Sequence, residues 1–301
     1  MRAVVFDQFG PPEVLRVAEL PDPEPGPGEV RIRVRAAGVQ PFDVGLRRGV
    51  MTWAPVTFPQ QLGQEYSGVV DRLGAGVDEL QPGDEVLGST MFNGYAELLC
   101  VPVPNVVRKP DRLDLPTAAA FVAASQTATG ALAELAVTAG DVLLVHAAAG
   151  SVGTVAVQLA RRAGATVLGT ASPGNHDYLR QLGAIPVAYG DGLVDAVRAT
   201  GENPTVALDA AGGEAIGQSV RLGVQPDRIG TIVDDKAAAE HGARVVRAGR
   251  SAERLAEVIA LAARGVLTMP VRAYPLSQVA EAHAAVESRH GRGKVVLIIQ
   301  D

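Results

Sequence analysis

Residues Leu143-Leu144-Val145-His146 form an apolar strand signal that runs into Ala147-Ala148-Ala149-Gly150-Ser151-Val152-Gly153. A strand, a tight turn of small residues and an immediate helix constrain the fold more than any other stretch of this chain. In the helix, Val152, Val155, Ala156, Leu159, Ala160 and Ala163 recur at i, i+3, i+4, i+7, i+8 and i+11. That spacing gives one apolar face, with Gly164 as its C-cap. A strand feeding such a helix belongs to a parallel sheet covered on both faces. The first turn of the helix is also an anion cradle, because its N–H groups have no partner one turn back.

The pattern continues on both sides of the turn. Strands are predicted at Val142–His146, Thr166–Thr170, Pro186–Ala188, Thr205–Asp209, Arg228–Val233 and Arg244–Ala248, each separated by a helix or a glycine turn. Before Leu115-Pro116-Thr117 the signal is different. Val30, Ile32 and Val34 alternate with Arg31, Arg33 and Arg35 after the turn Pro25-Gly26-Pro27-Gly28. Further short strands run around Gly68-Val69-Val70-Asp71 and Gly83-Asp84-Glu85-Val86. Short alternating strands between Gly/Pro turns indicate a β-barrel-like domain. From about Val271 the chain returns to strand, helix and strand (Lys294 to Ile299), which rejoins the first domain. The reading is therefore a barrel-type domain over 1–115 plus 270–301 and a doubly wound parallel-sheet domain over 116–269.

Composition narrows the function. The 301 residues carry a net charge of −6 with basic residues scattered, which argues against a nucleic-acid or anionic-membrane surface. The single cysteine, Cys100, allows no internal disulfide, in keeping with a reducing, cytoplasmic setting. The start, Met1 to Asp7, is too short an apolar run for a signal peptide, and no run reaches a membrane span.

The glycine turn fits a dinucleotide pyrophosphate. Aligned on its last glycine, the fingerprint covers 148–153: Gly150 and Gly153 are present, and Ala148 replaces the first glycine. Ala149, Ser151 and Val152 complete the cradle. The second strand ends Gly169-Thr170-Ala171-Ser172, without the carboxylate that would hold an NAD ribose. Ser172 and Asn175 can instead donate to a 2′-phosphate, so NADPH is the expected cofactor. Asp177 and Arg180 further on read as solvated surface.

Taken together these motifs make the chain resemble the medium-chain dehydrogenase/reductase superfamily, in its zinc-independent quinone oxidoreductase branch. The resemblance rests on Ala147-x-x-Gly150-x-x-Gly153, Gly63-Gln64-Glu65-x-x-Gly68-Val69-Val70, Gly83-Asp84-Glu85-Val86, Gly94-Tyr95-Ala96-Glu97 and Gly293-Lys294-Val295-Val296. It implies a GroES-like catalytic domain, a Rossmann domain, and a cofactor in the cleft between them. It also implies that Thr127 and Lys294 lie near the nicotinamide, that Ala210, Gly212 and Gly213 approach the adenosine half, and that Ile232 and Val233 offer backbone groups to the carboxamide. Zinc-dependent relatives carry cysteine where this chain has Gln40 or Pro41, and histidine where it has Gln64. The five histidines (146, 176, 241, 283 and 290) show no ligand spacing, and His146 reads as a satisfied residue at the core edge.

Without a metal, hydride must go to an activated electrophile, a quinone or an α,β-unsaturated carbonyl, and a donor must meet the oxygen that gains charge. Gln40 keeps an amide where the family often has asparagine. Gly45 stands where the family carries a tyrosine, which removes a donor and suggests a larger pocket. Tyr66 either presents its hydroxyl or is a core aromatic bonded to backbone. Asp43 and Arg47, four apart, are expected to pair on a helical turn, with Asp43 either an orienting partner in that pair or a catalytic carboxylate. Tyr95 reads as structural. Trp53 either walls the substrate pocket or anchors its loop. The expected activity is NADPH-dependent reduction of a small electrophile. Two alternatives stay open: an enoyl-thioester reductase, and a catalytically idle NADPH-binding sensor. A homodimer is expected if Arg244–Ala248 forms a sheet edge.

Overall fold

The computed structural model describes residues 1–247 and 249–299. The chain opens with β1 (Arg2–Phe6), β2 (Arg16–Glu19), β3 (Glu29–Val39), α1 (Pro41–Arg47), β4 (Gln60–Gln61), β5 (Glu65–Leu73), β6 (Glu85–Ser89), β7 (Leu98–Pro102) and β8 (Val106–Arg108). The helix α2 (Leu115–Glu134) then leads into β9 (Val142–His146), α3 (Ser151–Arg162), β10 (Thr166–Ala171), α4 (His176–Gln181), β11 (Ile185–Ala188), α5 (Leu193–Ala199), β12 (Val206–Asp209), α6 (Ala215–Arg221), β13 (Ile229–Thr231), α7 (Asp235–His241) and β14 (Arg244–Val245). The last stretch is α8 (Ala252–Ala263), β15 (Val271–Pro275), α9 (Val279–Glu287) and β16 (Lys294–Ile298).

Two compact units result, Met1–Ala123 with Ser251–Asp301, and Ala124–Arg250. The boundaries differ from the 115/116 and 269/270 expected from sequence. The first falls inside α2. The second precedes α8, which packs against β8 of the first unit.

In the first unit, β3 is the hub. It pairs antiparallel with β5, β7 and β16, and the sheet runs β15-β16-β3-β5-β6-β8. A smaller sheet runs β2-β1-β4. Val30, Ile32 and Val34 are fully buried, as the alternation requires. Arg31 is buried too, against expectation, because Asp71 on β5 (2.6 Å) and Glu24 (3.1 Å) receive its guanidinium. The core gathers Phe6, Leu62, Tyr66, Leu99 and Leu297.

In the second unit all six strands are parallel, in the order β11-β10-β9-β12-β13-β14. β9 matches its predicted span. The fifth strand is shorter than predicted, because Pro226–Arg228 form a tight turn and the chain leaves the ladder after Thr231. The sixth is Arg244–Val245 at the sheet edge, and Ala248 lies outside the described residues. On α3, Val155, Ala156 and Ala160 are buried as predicted and Ala163 is exposed, since it already caps the helix. Gly164 follows at φ 91°.

Candidate functional site

In the parallel-sheet unit, Ala147 turns the chain at φ 57°, and its N–H and that of Ala148 go to Oγ1 and O of Thr170 on β10 (3.1 and 3.0 Å). Gly150 caps α3 with an extended backbone and offers no side chain. The N–H groups of Ser151, Val152 and Gly153 therefore open a 12-residue helix with no acceptor one turn back. The two glycines differ in what surrounds them. A Cβ on Gly153 would lie 2.5 Å from the Ala147 carbonyl oxygen and 2.6 Å from Ala148 Cα. A Cβ on Gly150 would meet only the Ala147 oxygen, at 3.4 Å. Gly153 lets α3 sit on the end of β9, and Gly150 leaves its outer side open. Ala148, fully buried, takes the place of the first fingerprint glycine without blocking the turn. These residues fit a dinucleotide pyrophosphate.

At the end of β10, Ser172 accepts a hydrogen bond from Asn175 Nδ2 at 3.3 Å, so the two hydroxyl and amide groups lie side by side. Asp177 pairs with Arg180 on the surface, both side chains well exposed, as the sequence suggests. Ala149 is buried, and Ser151 and Val152 are half-buried. Thr127 is half-buried on α2, and Ala210 is half-buried just after β12.

One network in this unit was not read from the sequence. Asp209, fully buried at the end of β12, accepts from the N–H groups of Ala211 and Gly212 (both 2.8 Å) and from Thr231 Oγ1 (2.7 Å). Thr231 Oγ1 accepts in turn from Val233 N (3.1 Å) and Asp234 N (3.0 Å). The backbone groups of Ile232 and Val233 bear on this network. Ile232 N donates to the Asp209 carbonyl (3.0 Å), so both N–H groups are engaged inside the unit and their carbonyls are what they offer. The signal for it was an acid closing a strand and an Asp-Asp pair opening α7. His146 is satisfied as expected, with Nε2 2.9 Å from Ser219 Oγ. Burial holds its imidazole down at about 4, against the pull of Asp209.

In the barrel unit, the polar groups collect where β3 ends and α1 begins. Asp43 is fully buried. Its Oδ2 accepts from Gln40 N and from Tyr95 Oη, each at 2.9 Å, and its Oδ1 accepts from Gly63 N at 3.2 Å. Burial raises its carboxyl to about 6, with the Tyr95 and Gln40 hydrogen bonds and Lys294 opposing. Asp43 does not pair with Arg47, contrary to expectation. Arg47, also fully buried, bonds Glu287 on α9 at 2.8 Å, because α1 turns the two side chains toward different neighbours. Gln40 Nε2 is buried and meets no acceptor among the described residues.

A second buried acid lies beside the first. Glu65 has no exposure and pairs with Lys294, and its Oε2 accepts from Ala123 N at 2.6 Å. The pair crosses β3 at Gly38, where any Cβ would strike the Glu65 carboxylate. Tyr66 is a core aromatic, and its hydroxyl meets no partner among the described residues, so only the backbone bond expected for it is missing. Its hydroxyl end lies beside Gly88 on β6, where a Cβ would fall 2.6 Å from Oη. The space beside Gly45 is not open either. A Cβ there would fall 2.5 Å from Met51 Cε, so the methionine fills what the missing side chain leaves. Trp53 stays 67% exposed and packs its ring on Phe42 (5.6 Å), which stacks with Phe92 (6.5 Å).

Among the described residues, no three His, Cys, Asp or Glu side chains form a metal-holding group. Asp43 and Glu65 already have partners, and Gln40 and Gln64 are amides. This donor set does not fit a three-ligand zinc. Among the described residues no helix is long and apolar enough to cross a membrane.

Residues 26–147 match the alcohol dehydrogenase GroES-like domain, and residues 182–297 match a family described as zinc-binding dehydrogenase. The chain is similar to the quinone oxidoreductase from Coxiella burnetii, with 32% identity, a TM-score of 0.91, and coverage of 100% of this chain and 99% of that one. It is also similar to the Escherichia coli quinone oxidoreductase complexed with NADPH, at 25% identity and TM-score 0.87, covering 99% and 100% of the two chains. A polyketide synthase of Streptomyces halstedii is 35% identical over 257 residues, which is 80% of this chain and 5% of the synthase. The chain thus spans a small part of that relative's length. With this fold, these two matched domains and these neighbours, the chain belongs to the medium-chain dehydrogenase/reductase superfamily.

Proposed function

We propose that the protein is a zinc-independent, NADPH-dependent reductase of electron-poor π-systems, either quinones or α,β-unsaturated carbonyls. The observation that carries this reading is the first turn of α3, where three N–H groups have no acceptor one turn back and a Cβ on Gly150 would meet only the Ala147 oxygen. When bound, the nicotinamide supplies a hydride. The chain's own residues do the rest. Ser151, Val152 and Gly153 hold the pyrophosphate through main-chain donors, and the helix dipole adds to their pull. Ser172 and Asn175 supply polar groups suited to a 2′-phosphate, with no carboxylate at the strand end to repel it.

On the barrel unit, the Gln40 amide is the donor for the substrate oxygen that gains negative charge. A donor of this kind contributes about 3 kcal/mol when it is held in place before the reaction. Phe42, two residues beyond Gln40, packs with Trp53 and Phe92 into an apolar, aromatic surface. With Met51 over Gly45, the site favours compact electrophiles over bulky ones. The reaction needs no metal under this reading, since polarisation comes from an amide.

The test is NADPH oxidation, followed at 340 nm, against 1,4-benzoquinone and a series of enones, with NADH in parallel. Turnover with NADPH is expected to exceed that with NADH, and zinc chelation is expected to leave it unchanged. No turnover with any electrophile despite tight NADPH binding would sink the proposal. A second reading, reduction of an enoyl thioester, is favoured by the similarity to a polyketide synthase over 80% of this chain. Acyl thioesters of N-acetylcysteamine compared with free enones of the same chain separate the two. The exposed edge strand β14 also suits a homodimer, which light scattering tests.

A further inference from the structure

We propose that Asp43, oriented by the Tyr95 hydroxyl, is the positioning residue that fixes the Gln40 amide donor and the Gly63–Gln64 backbone in one geometry. This rests on the reading of Gln40 as the substrate-oxygen donor.

Half of the arrangement is an ordinary helix start. Gln40 is the N-cap of α1, and its N–H bonds to the carboxylate three residues on. Such a cap normally sits at the surface and needs no further partner. Asp43 instead has no solvent exposure. Its second oxygen takes the Gly63 N–H from 20 residues along, and the Tyr95 hydroxyl arrives from 52 residues along. One carboxylate therefore joins three segments: the end of β3, the turn between β4 and β5, and the turn before β7. Two of those segments carry the side chains that stand at the family's metal-ligand positions, Gln40 and Gln64. A carboxylate with three good donors is held firmly, since each charge-assisted bond is stronger and shorter than a neutral one.

What the cluster leaves unpaired matters as much. The Gln40 side-chain nitrogen is buried without an acceptor among the described residues. A buried amide N–H without a partner is costly, and a substrate oxygen relieves it. Gln40 has a longer side chain than asparagine, with one more torsion to restrain. A main chain pinned by Asp43 removes freedom at its root. The charged and titratable groups around Asp43 are Tyr95, Lys294 and Glu65, and His283 packs edge-on against the Tyr95 ring at 6.0 Å. Tyr95 sits within 3.4 Å of the Gly38 carbonyl but closer to Asp43, so its single proton serves the carboxylate.

The experiment is a double-mutant cycle of Tyr95→Phe and Gln40→Ala, with NADPH and both 1,4-benzoquinone and trans-2-octenal as probes. Tyr95→Phe removes one hydroxyl and keeps the ring, so the fold survives. It is expected to lower kcat about tenfold or more, with the KM for NADPH and the thermal midpoint unchanged. The acid limb of its kcat–pH profile is expected to move to higher pH, because the carboxylate loses a donor. In the Gln40→Ala background the same substitution is expected to do nothing further. Wild-type kcat in Tyr95→Phe overturns the proposal, as does an equal loss in both backgrounds. If Gln40→Ala itself leaves kcat intact, the reading of Gln40 fails, and this proposal with it. If Gln40→Ala is slow and Tyr95→Phe is not, only the positioning role fails. Asp43→Asn, which keeps the shape and loses the charge, is expected to follow Tyr95→Phe in direction with a larger loss.

Discussion

Arg47 and Glu287 form an ion pair at 2.8 Å in which the arginine has no solvent exposure and the glutamate retains 29%. Among the described residues Nε and Nη1 of the same guanidinium find no partner, so Glu287 carries the compensation for a buried positive charge. Removing one member of such a pair leaves the other charge uncompensated. Glu287→Ala is expected to lower the unfolding free energy by about 3 kcal/mol, the low end for a buried pair because Glu287 is partly wet. Urea titration measures it. Asp177→Ala, which breaks an exposed pair with Arg180, is expected to change stability by less than about 1 kcal/mol.

The two glycines of the α3 turn separate folding from binding. Gly153→Ala drives a methyl into the backbone of Ala147 and Ala148, so it is expected to lower both the thermal midpoint and NADPH affinity. Gly150→Ala meets only one oxygen at 3.4 Å. It is expected to fold normally and still bind NADPH at least tenfold more weakly, because its methyl occupies the approach to the cradle. Differential scanning fluorimetry with and without NADPH resolves the pair.

Acid stability is governed by buried groups of opposite sign. Burial depresses His283 to about 3, with Arg47 adding to it, and His146 to about 4. Between those values and 6.5 the unfolded chain binds protons that the folded chain refuses, so stability is present above pH 6.5 and falls as pH drops. Asp43, raised to about 6, acts in reverse: it takes a proton on folding between about 4 and 6, so its contribution grows as pH falls through that window. The histidines outnumber it. His283→Gln is expected to make the loss of stability shallower by about 1.4 kcal/mol per pH unit between pH 6 and 4. Chemical denaturation at half-unit steps reads the slope. An unchanged slope would contradict a neutral buried imidazole.

Met51 stands in for a side chain at position 45. If it limits the substrate, Met51→Ala is expected to raise kcat/KM for a bulky enone about tenfold relative to a compact one. A series of β-substituted cyclohexenones reads the ratio.

What could be read from sequence alone was local. The α3 turn declared itself because its strand, glycines and helical stripe are contiguous, and β9 fell where its apolar run placed it. The polar cluster in the barrel unit did not. Four-residue spacing pointed Asp43 at Arg47, whereas its partners come from Gly63 and Tyr95, and Arg47 finds Glu287, 240 residues away. No periodicity encodes contacts of that range. Tyr95 looked structural for a sound reason, since it is buried, and only the atom facing its hydroxyl shows what it holds. Gly45 looked like a gap because a single position cannot report that a methionine six residues on folds back over it.

The central strand of the barrel sheet also has a history in time. Along one side, Ala36–Val39 on β3 pair with β16, Val39 with Val295 and Ala36 with Ile298. As the chain emerges from a ribosome, that edge waits through the synthesis of the whole parallel-sheet unit before its neighbour exists. Contacts so far apart in sequence form slowly, and an unpaired strand edge recruits other chains in the interval. The parallel-sheet unit, continuous in sequence, can form its ladder first. Nascent chains stalled before β16 should therefore be aggregation-prone and captured by chaperones, and release of the last strand should be the event that makes the barrel unit soluble.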